Sequence, residues 1–119
     1  MQAETRNRNR EIMNDAWVIM RHFGLGKSDA LKKAWLCARL RARLRKGEAV
    51  RFAFIKANGE SRSAYGMAAK VGAHLVNGTG NPPKAYNFEY WDLDRQMFRQ
   101  FAKARIVCVI AADEETAAA

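Results

Sequence analysis

"VRFAFIKANGESRSAYG", residues 50–66, alternates apolar and polar positions until it breaks at Asn58-Gly59. Val50, Phe52 and Phe54 alternate with Arg51, Ala53 and Ile55, the period of a strand that buries one face. Asn-Gly between two such runs is a strong hairpin signal, because a type I′ turn needs positive φ at both central residues. The reading predicts a two-residue turn that sets Phe54 opposite Ser63 and Phe52 opposite Tyr65. A hairpin here commits the second half of the chain to an antiparallel sheet.

Downstream, strands are expected in "YNFEYWD" (86–92), "MFRQFAK" (97–103) and "RIVCVIA" (105–111). Residues 67–85, rich in Gly, Asn and Pro towards their end, read as a long exposed connection. Short strands joined by tight turns suggest a small closed barrel.

Upstream, the period lengthens. In "REIMNDAWVIMRHF" (10–23), Ile12, Met13, Ala16, Ile19, Met20 and Phe23 recur at helical steps, with Trp17 at the edge of that face. Gly24 and Gly26 end the pattern. Ser28 is the expected N-cap and Asp29 the first-turn acid of a second helix, which Gly47 stops. That second helix is apolar on two sides: Leu31, Ala34, Trp35, Ala38 and Ala42 on one, Leu36, Leu40 and Leu44 on the other. Such a helix is sandwiched between neighbours, here the first helix and the sheet. Between the two faces Lys32, Arg39, Arg43 and Lys46 form a cationic stripe.

Gly26-Lys27-Ser28 has the letters of a phosphate-binding loop but not its context. The motif needs another glycine five positions before Gly26, where Arg21 stands, and a strand leading in, where the pattern is helical. It reads as a turn between helices. Asp92 and Asp94, two apart at a strand end, diverge and do not make an acid–base pair. His22 and His74 have no nucleophile partner and no metal-ligand spacing with Cys37 and Cys108, which read as buried free thiols. Catalysis and cofactors are not expected.

The chain has 119 residues and a formal net charge of +9. Residues 1–47 hold twelve Lys/Arg against four Asp/Glu, residues 48–110 nine against five, and the segment after residue 110 carries only three acids. This balance favours polyanionic partners and excludes a nucleic-acid mimic. One domain is expected: a flexible basic lead (1–10), a helical part (11–46), a barrel (48–111) and a disordered acidic tail (112–119). No apolar stretch is long enough to span a bilayer and no signal-peptide pattern opens the sequence, so a cytoplasmic protein is expected.

"VRFAFIKANGESRSAYG" followed by "YNFEYWDLDRQMFRQFAKARIVCV" resembles the WYL-related, Sm-like SH3 β-barrel family, small proteins of phages and mobile elements of gut bacteria. The shared pattern is a strand ending in Lys-x-x-(Asp/Asn)-Gly, then an Arg and a small residue, an aromatic-Asp-Leu segment and an aromatic-Arg-x-Phe strand. The "AW…ALKKAW" helices resemble the leader that often precedes it. This copy has Phe98 where the pattern usually has Trp, a longer connection at 67–85, and no literal Trp-Tyr-Leu. The resemblance implies an α+β fold, two N-terminal helices packed on a small antiparallel SH3-like barrel. It singles out Gly59, Arg62, Asp92, Arg99 and Phe101. Asp92 either fixes the barrel by pairing with Arg62 or Arg99, or faces a ligand.

Two functions compete. The first is nucleic-acid binding, single strands or RNA favoured, through Lys32, Arg39, Arg43 and Lys46 on the helix and Lys56, Arg62, Tyr65, Tyr90 and Arg99 on the barrel. Tyr86, Trp91 and Lys84 lie beside these. The second is a protein-binding inhibitor of a host enzyme or defence complex, of the anti-CRISPR kind. Membrane binding is not expected, because both apolar helix faces are needed for the core.

Overall fold

The structure is a computed structural model that describes residues 2–69 and 84–110, with side chains from Thr5 onward. Most of the 67–85 connection and the acidic segment at 112–119 lie outside the described residues. Helices α1 (Gln2–Phe23) and α2 (Lys27–Arg45) precede strands β1 (Val50–Ile55), β2 (Ser61–Met67), β3 (Asn87–Asp92), β4 (Met97–Ala102) and β5 (Ile106–Val109). The strands form one antiparallel sheet in the order β4-β3-β2-β1-β5. A 3-10 turn, Lys103–Arg105, links β4 to β5 and lets the chain return across to β1. This is the expected α+β architecture.

α2 is the middle layer. Ala30, Ala34 and Ala38 pack against Ile12, Ala16 and Ile19 of α1. On its other side Cys37, Leu40 and Leu44 join Val50, Phe52, Phe54, Phe88, Tyr90, Phe101 and Ile106 in the barrel core. Alanines on the α1 side let the two helices approach closely. Trp35 and Ala42, expected on that side, are instead exposed. They fall on a third face: positions 32, 35, 39, 42 and 46 follow three- and four-residue steps and all point to solvent. Met13 and Trp17 of α1 are exposed as well, so α1 buries a narrower stripe than its periodicity suggested.

Two helix ends differ from expectation. The basic lead is part of α1, which is already helical from Gln2. α2 takes Gly26 as its N-cap, without a side-chain cap, so Ser28 lies inside the first turn. Its C-terminus ends as read: the Gly47 and Glu48 amides donate to the Leu44 and Arg43 carbonyls, closing the last turn.

The central hairpin is present with a one-residue correction. Phe52 pairs with Ala64 and Phe54 with Arg62, while Tyr65 stands opposite Arg51. The loop has three residues, Ala57–Gly59. Lys56 accepts from the Gly59 amide and donates to Glu60, and only Gly59 has positive φ, at 90°. Asn58 uses its side-chain oxygen to accept from the Glu60 amide, so it anchors the loop without adopting positive φ itself. Burial selects this register: Ala64 and Gly66 share the inner face with Phe52, whereas a slip would have brought Tyr65 inward. Gly66 has no room for a side chain, since a Cβ there would lie 2.7 Å from the Tyr90 ring. Gly59→Val would force a β-branched residue to positive φ at a cost on the order of 1–3 kcal/mol. A lowered urea midpoint is expected; an unchanged one would contradict the turn.

β5 carries a bulge. Val109 and Cys108 pair with Phe52 and Ala53, but Phe54 pairs with Ile106, so Val107 is the extra residue. Ile106 and Val109 therefore face inward, and Cys108 is exposed rather than buried. Cys37 is buried as expected, and burial, with Asp15 nearby, pushes its thiol pKa up to about 12.

Candidate nucleic-acid interface

Alternation along the strands decides which cations meet. Arg62 opposes Phe54, and Arg99 opposes Tyr90 and lies two residues before Phe101, so both are inner-face positions. Lys56 lies two residues past Phe54, at the same end. Inner-face positions in the middle of the sheet hold the aromatic core: Phe52 stacks edge-on to Tyr90 at 4.9 Å, and Phe101 lies 5.0 Å from Phe54 and 5.3 Å from Phe88. At the mouth the same face carries charge. A cleft of about 340 Å³ opens there, lined by Lys56, Arg62, Arg99 and Arg105 over a floor that includes Phe54 and Phe101.

Two of these cations meet carboxylates. Arg62 donates to Asp92 at 3.0 Å, and Lys56 lies 3.9 Å from Glu60, most of which is exposed. Asp92 is fully buried, and its other oxygen accepts from the amides of Asp94 and Arg95. Of the alternatives the sequence left open, Asp92 pairs with Arg62 and caps the β3–β4 turn. Among the described residues neither Arg99 nor Arg105 meets a carboxylate; Arg99 reaches only the Met97 sulfur, at 3.9 Å. The cleft therefore presents net positive charge beside amide side chains, Asn87 and Gln100, which bond each other at 3.3 Å.

The other expected residues lie elsewhere. Tyr90 is in the core and is not available to a ligand; burial, with Asp92 nearby, raises its phenol pKa. Its inward position follows from the β3 pattern, in which Phe88, Tyr90 and Asp92 are all buried. Tyr65 is half-buried on the outer face beneath the Arg51 guanidinium, 4.7 Å from its ring. Arg43 is drawn off the helix stripe by Glu48, at 3.0 Å, and by the Ile110 carbonyl. Lys32, Arg39 and Lys46 remain exposed on α2 and do not line the cleft. Tyr86 packs on His22 and Phe23 at the end of α1, with ring centroids 4.7 and 6.1 Å apart. Trp91 stands edge-on to Phe98 at 4.8 Å.

Sequence reasoning missed Arg105, which the 3-10 turn after β4 swings into the mouth. It also missed the ion network beneath the helices. Asp15 of α1 is buried and accepts from Arg41 of α2 at 2.8 Å and from Lys103 at 2.7 Å. Glu11 adds Arg41 at 3.1 Å and Arg45 at 3.0 Å. Burial opposes the Arg41 charge, but the hydrogen bond and charge of Asp15 outweigh it and raise the guanidinium pKa. Lys33 donates to the Ile106 carbonyl at 2.6 Å, a second tie from α2 to the barrel. The helices and the sheet are thus one body. The signal was present: Glu11 and Asp15 lie one turn apart, as do Arg41 and Arg45. Lys103, distant in sequence, gave none.

Among the described residues no three His, Cys, Asp or Glu side chains gather as a metal site would require, and no helix is long and apolar enough to cross a membrane. No curated protein and no solved structure matches the chain. The family model WYL_2, described as an Sm-like SH3 beta-barrel fold, matches residues 37–107, from the middle of α2 to β5. That match covers more than half of the 119 residues. The chain belongs to the WYL_2 family of Sm-like SH3 β-barrel proteins.

Proposed function

We propose that this protein is a small nucleic-acid-binding module, binding rather than catalytic and without a cofactor, that takes single strands or RNA at the mouth of its barrel. The observation that carries this reading is the convergence of Lys56, Arg62, Arg99 and Arg105 on one cleft, with Arg99 and Arg105 free of described carboxylates. Four cations around a cleft of this size suit a phosphate backbone, with neighbouring amides able to meet base edges. The excess of Lys and Arg over the whole chain supplies long-range attraction. A phage or mobile-element origin and a bacterial cytoplasmic setting belong to the same proposal and rest on the motif resemblance.

If Lys56, Arg99 and Arg105 each neutralise one phosphate while Arg62 stays on Asp92, the salt slope is about −0.7 per contact, roughly −2 in all. Affinity for a labelled oligonucleotide then falls about 20-fold between roughly 50 and 200 mM salt. Changing Arg99 and Arg105 together to Gln removes two contacts and flattens the slope by about 1.4. Fluorescence anisotropy across a salt series checks both figures. Absence of binding by the parent at low salt overturns the reading and favours the protein-inhibitor alternative. Binding with an unchanged slope in the variant moves the site off the barrel.

A further inference from the structure

The two helices sort their charges. Their described acids Glu11 and Asp15 turn inward to Arg41, Arg45 and Lys103, which leaves only Asp29 outside. On the outer side of α2, Lys32, Trp35, Arg39, Ala42 and Lys46 form a stripe, and none of its three cations meets a carboxylate among the described residues. Trp35 stands in the middle of it, 51% exposed, with the Arg8 guanidinium of α1 5.8 Å from its ring centre. Beside it, between α1 and α2, runs a groove of about 480 Å³. Ala38 and Ala42 form its floor, with Asn7, Arg8, Arg45 and Lys46 around it and Glu11 held by Arg41 and Arg45.

A tryptophan left half in water forgoes burial that a neighbouring core position would have supplied. Here it is an aromatic plate with cations at i−3 and i+4 along the helix and a third from the adjoining helix. That combination fits an unpaired nucleobase attached to a phosphate chain: the ring offers a stacking surface, the alanine floor accepts a flat apolar edge, and the rim takes phosphate. A folded acidic protein would supply the charge but not a flat ring on a flexible backbone. We infer that the α1–α2 pair carries a second single-strand contact, in which a base stacks on Trp35 while Lys32, Arg39 and Lys46 follow the phosphates. This inference rests on the nucleic-acid reading above and extends it from the barrel to the helices.

The test is anisotropy with labelled oligo(dT) and oligo(U), using the full chain and the variants W35A, W35F and the pair K32Q/R39Q. Stacking predicts a loss of about 5- to 100-fold for W35A, with W35F keeping most of the affinity. The salt slope stays at the parent value in W35A, because stacking releases no counterions, and drops by about 1.4 in K32Q/R39Q. Trp35 is exposed, so W35A should melt at the parent's temperature. Parent-like affinity in W35A overturns the inference and leaves the barrel site standing. Equal losses in W35A and W35F also overturn it, since they assign Trp35 to packing. If the parent binds neither oligonucleotide, this inference and the barrel reading fall together.

Discussion

Replacing Asp15 with Ala should lower folding stability by about 3–5 kcal/mol, because it strips the carboxylate from two largely buried cations. Arg41 and Lys103 have side chains 17% and 12% exposed, and Asp15 holds both at under 3 Å. Glu11 would remain for Arg41, but Lys103 would have no acid left among the described residues. The single carboxylate joins α1, α2 and the 3-10 turn, so its loss loosens the helical layer from the barrel. Urea denaturation should show the midpoint falling sharply with little change in slope. Arg45→Gln provides the contrast: its pair with Glu11 belongs to the same network but is mostly exposed, and its loss should cost under about 1 kcal/mol. Equal, small losses in both variants would mean that the network does not clamp the helices.

Phe52→Ala is expected to be as damaging, by about 3–5 kcal/mol. The ring is fully buried, meets Tyr90 edge-on at 4.9 Å, and lies 5.5 and 6.1 Å from Phe101 and Phe54. It fills the centre where the inner face of the sheet meets α2. Its neighbours are rings held by strand pairing, so they cannot collapse into the space, and the cavity cost adds to the lost transfer energy. Small domains hold only about 5–15 kcal/mol in total, so the variant should be near its unfolding threshold. Val107→Ala, at the exposed bulge of the neighbouring strand β5, should stay within about 0.5 kcal/mol. Thermal melting of the two variants side by side checks the difference; similar melting points would contradict the aromatic core as the main support of the barrel.

Much of the fold was legible because it depends on periodicity. The alternation at Val50, Phe52 and Phe54 located β1, and the two apolar sides of α2 located its two neighbours. Details failed where a local hydrogen bond outweighs the pattern. Asn-Gly calls for positive φ at Asn58, but the Asn58 side chain anchors Glu60 instead, and the loop gains a residue and shifts every pair. The apolar run around Cys108 points to burial, but one bulge residue turns it outward. Trp35 reads as part of the apolar side with Ala34 and Ala38, but the helical angle places it between Lys32 and Arg39 on the exposed face.

The candidate site was partly legible for the same reasons. Lys56, Arg62 and Arg99 meet because strand alternation puts all three on the inner face at one end. Tyr90 obeys the same alternation one step further in, and there the position is core. Arg105 was not legible, since no periodicity predicts where a 3-10 turn sends a side chain. Arg43 looked like part of a free stripe because its partner Glu48 lies beyond the helix end.

The most direct measurement of the central claim is an NMR titration of the arginine Nε–H signals with short single-stranded oligonucleotides at low salt. Arg99 and Arg105 should shift together and saturate, while Arg62, held by Asp92, and Arg41, held by Asp15 and Glu11 under the helices, stay in place. Saturable binding that leaves Arg99 and Arg105 unmoved would contradict the site at the barrel mouth.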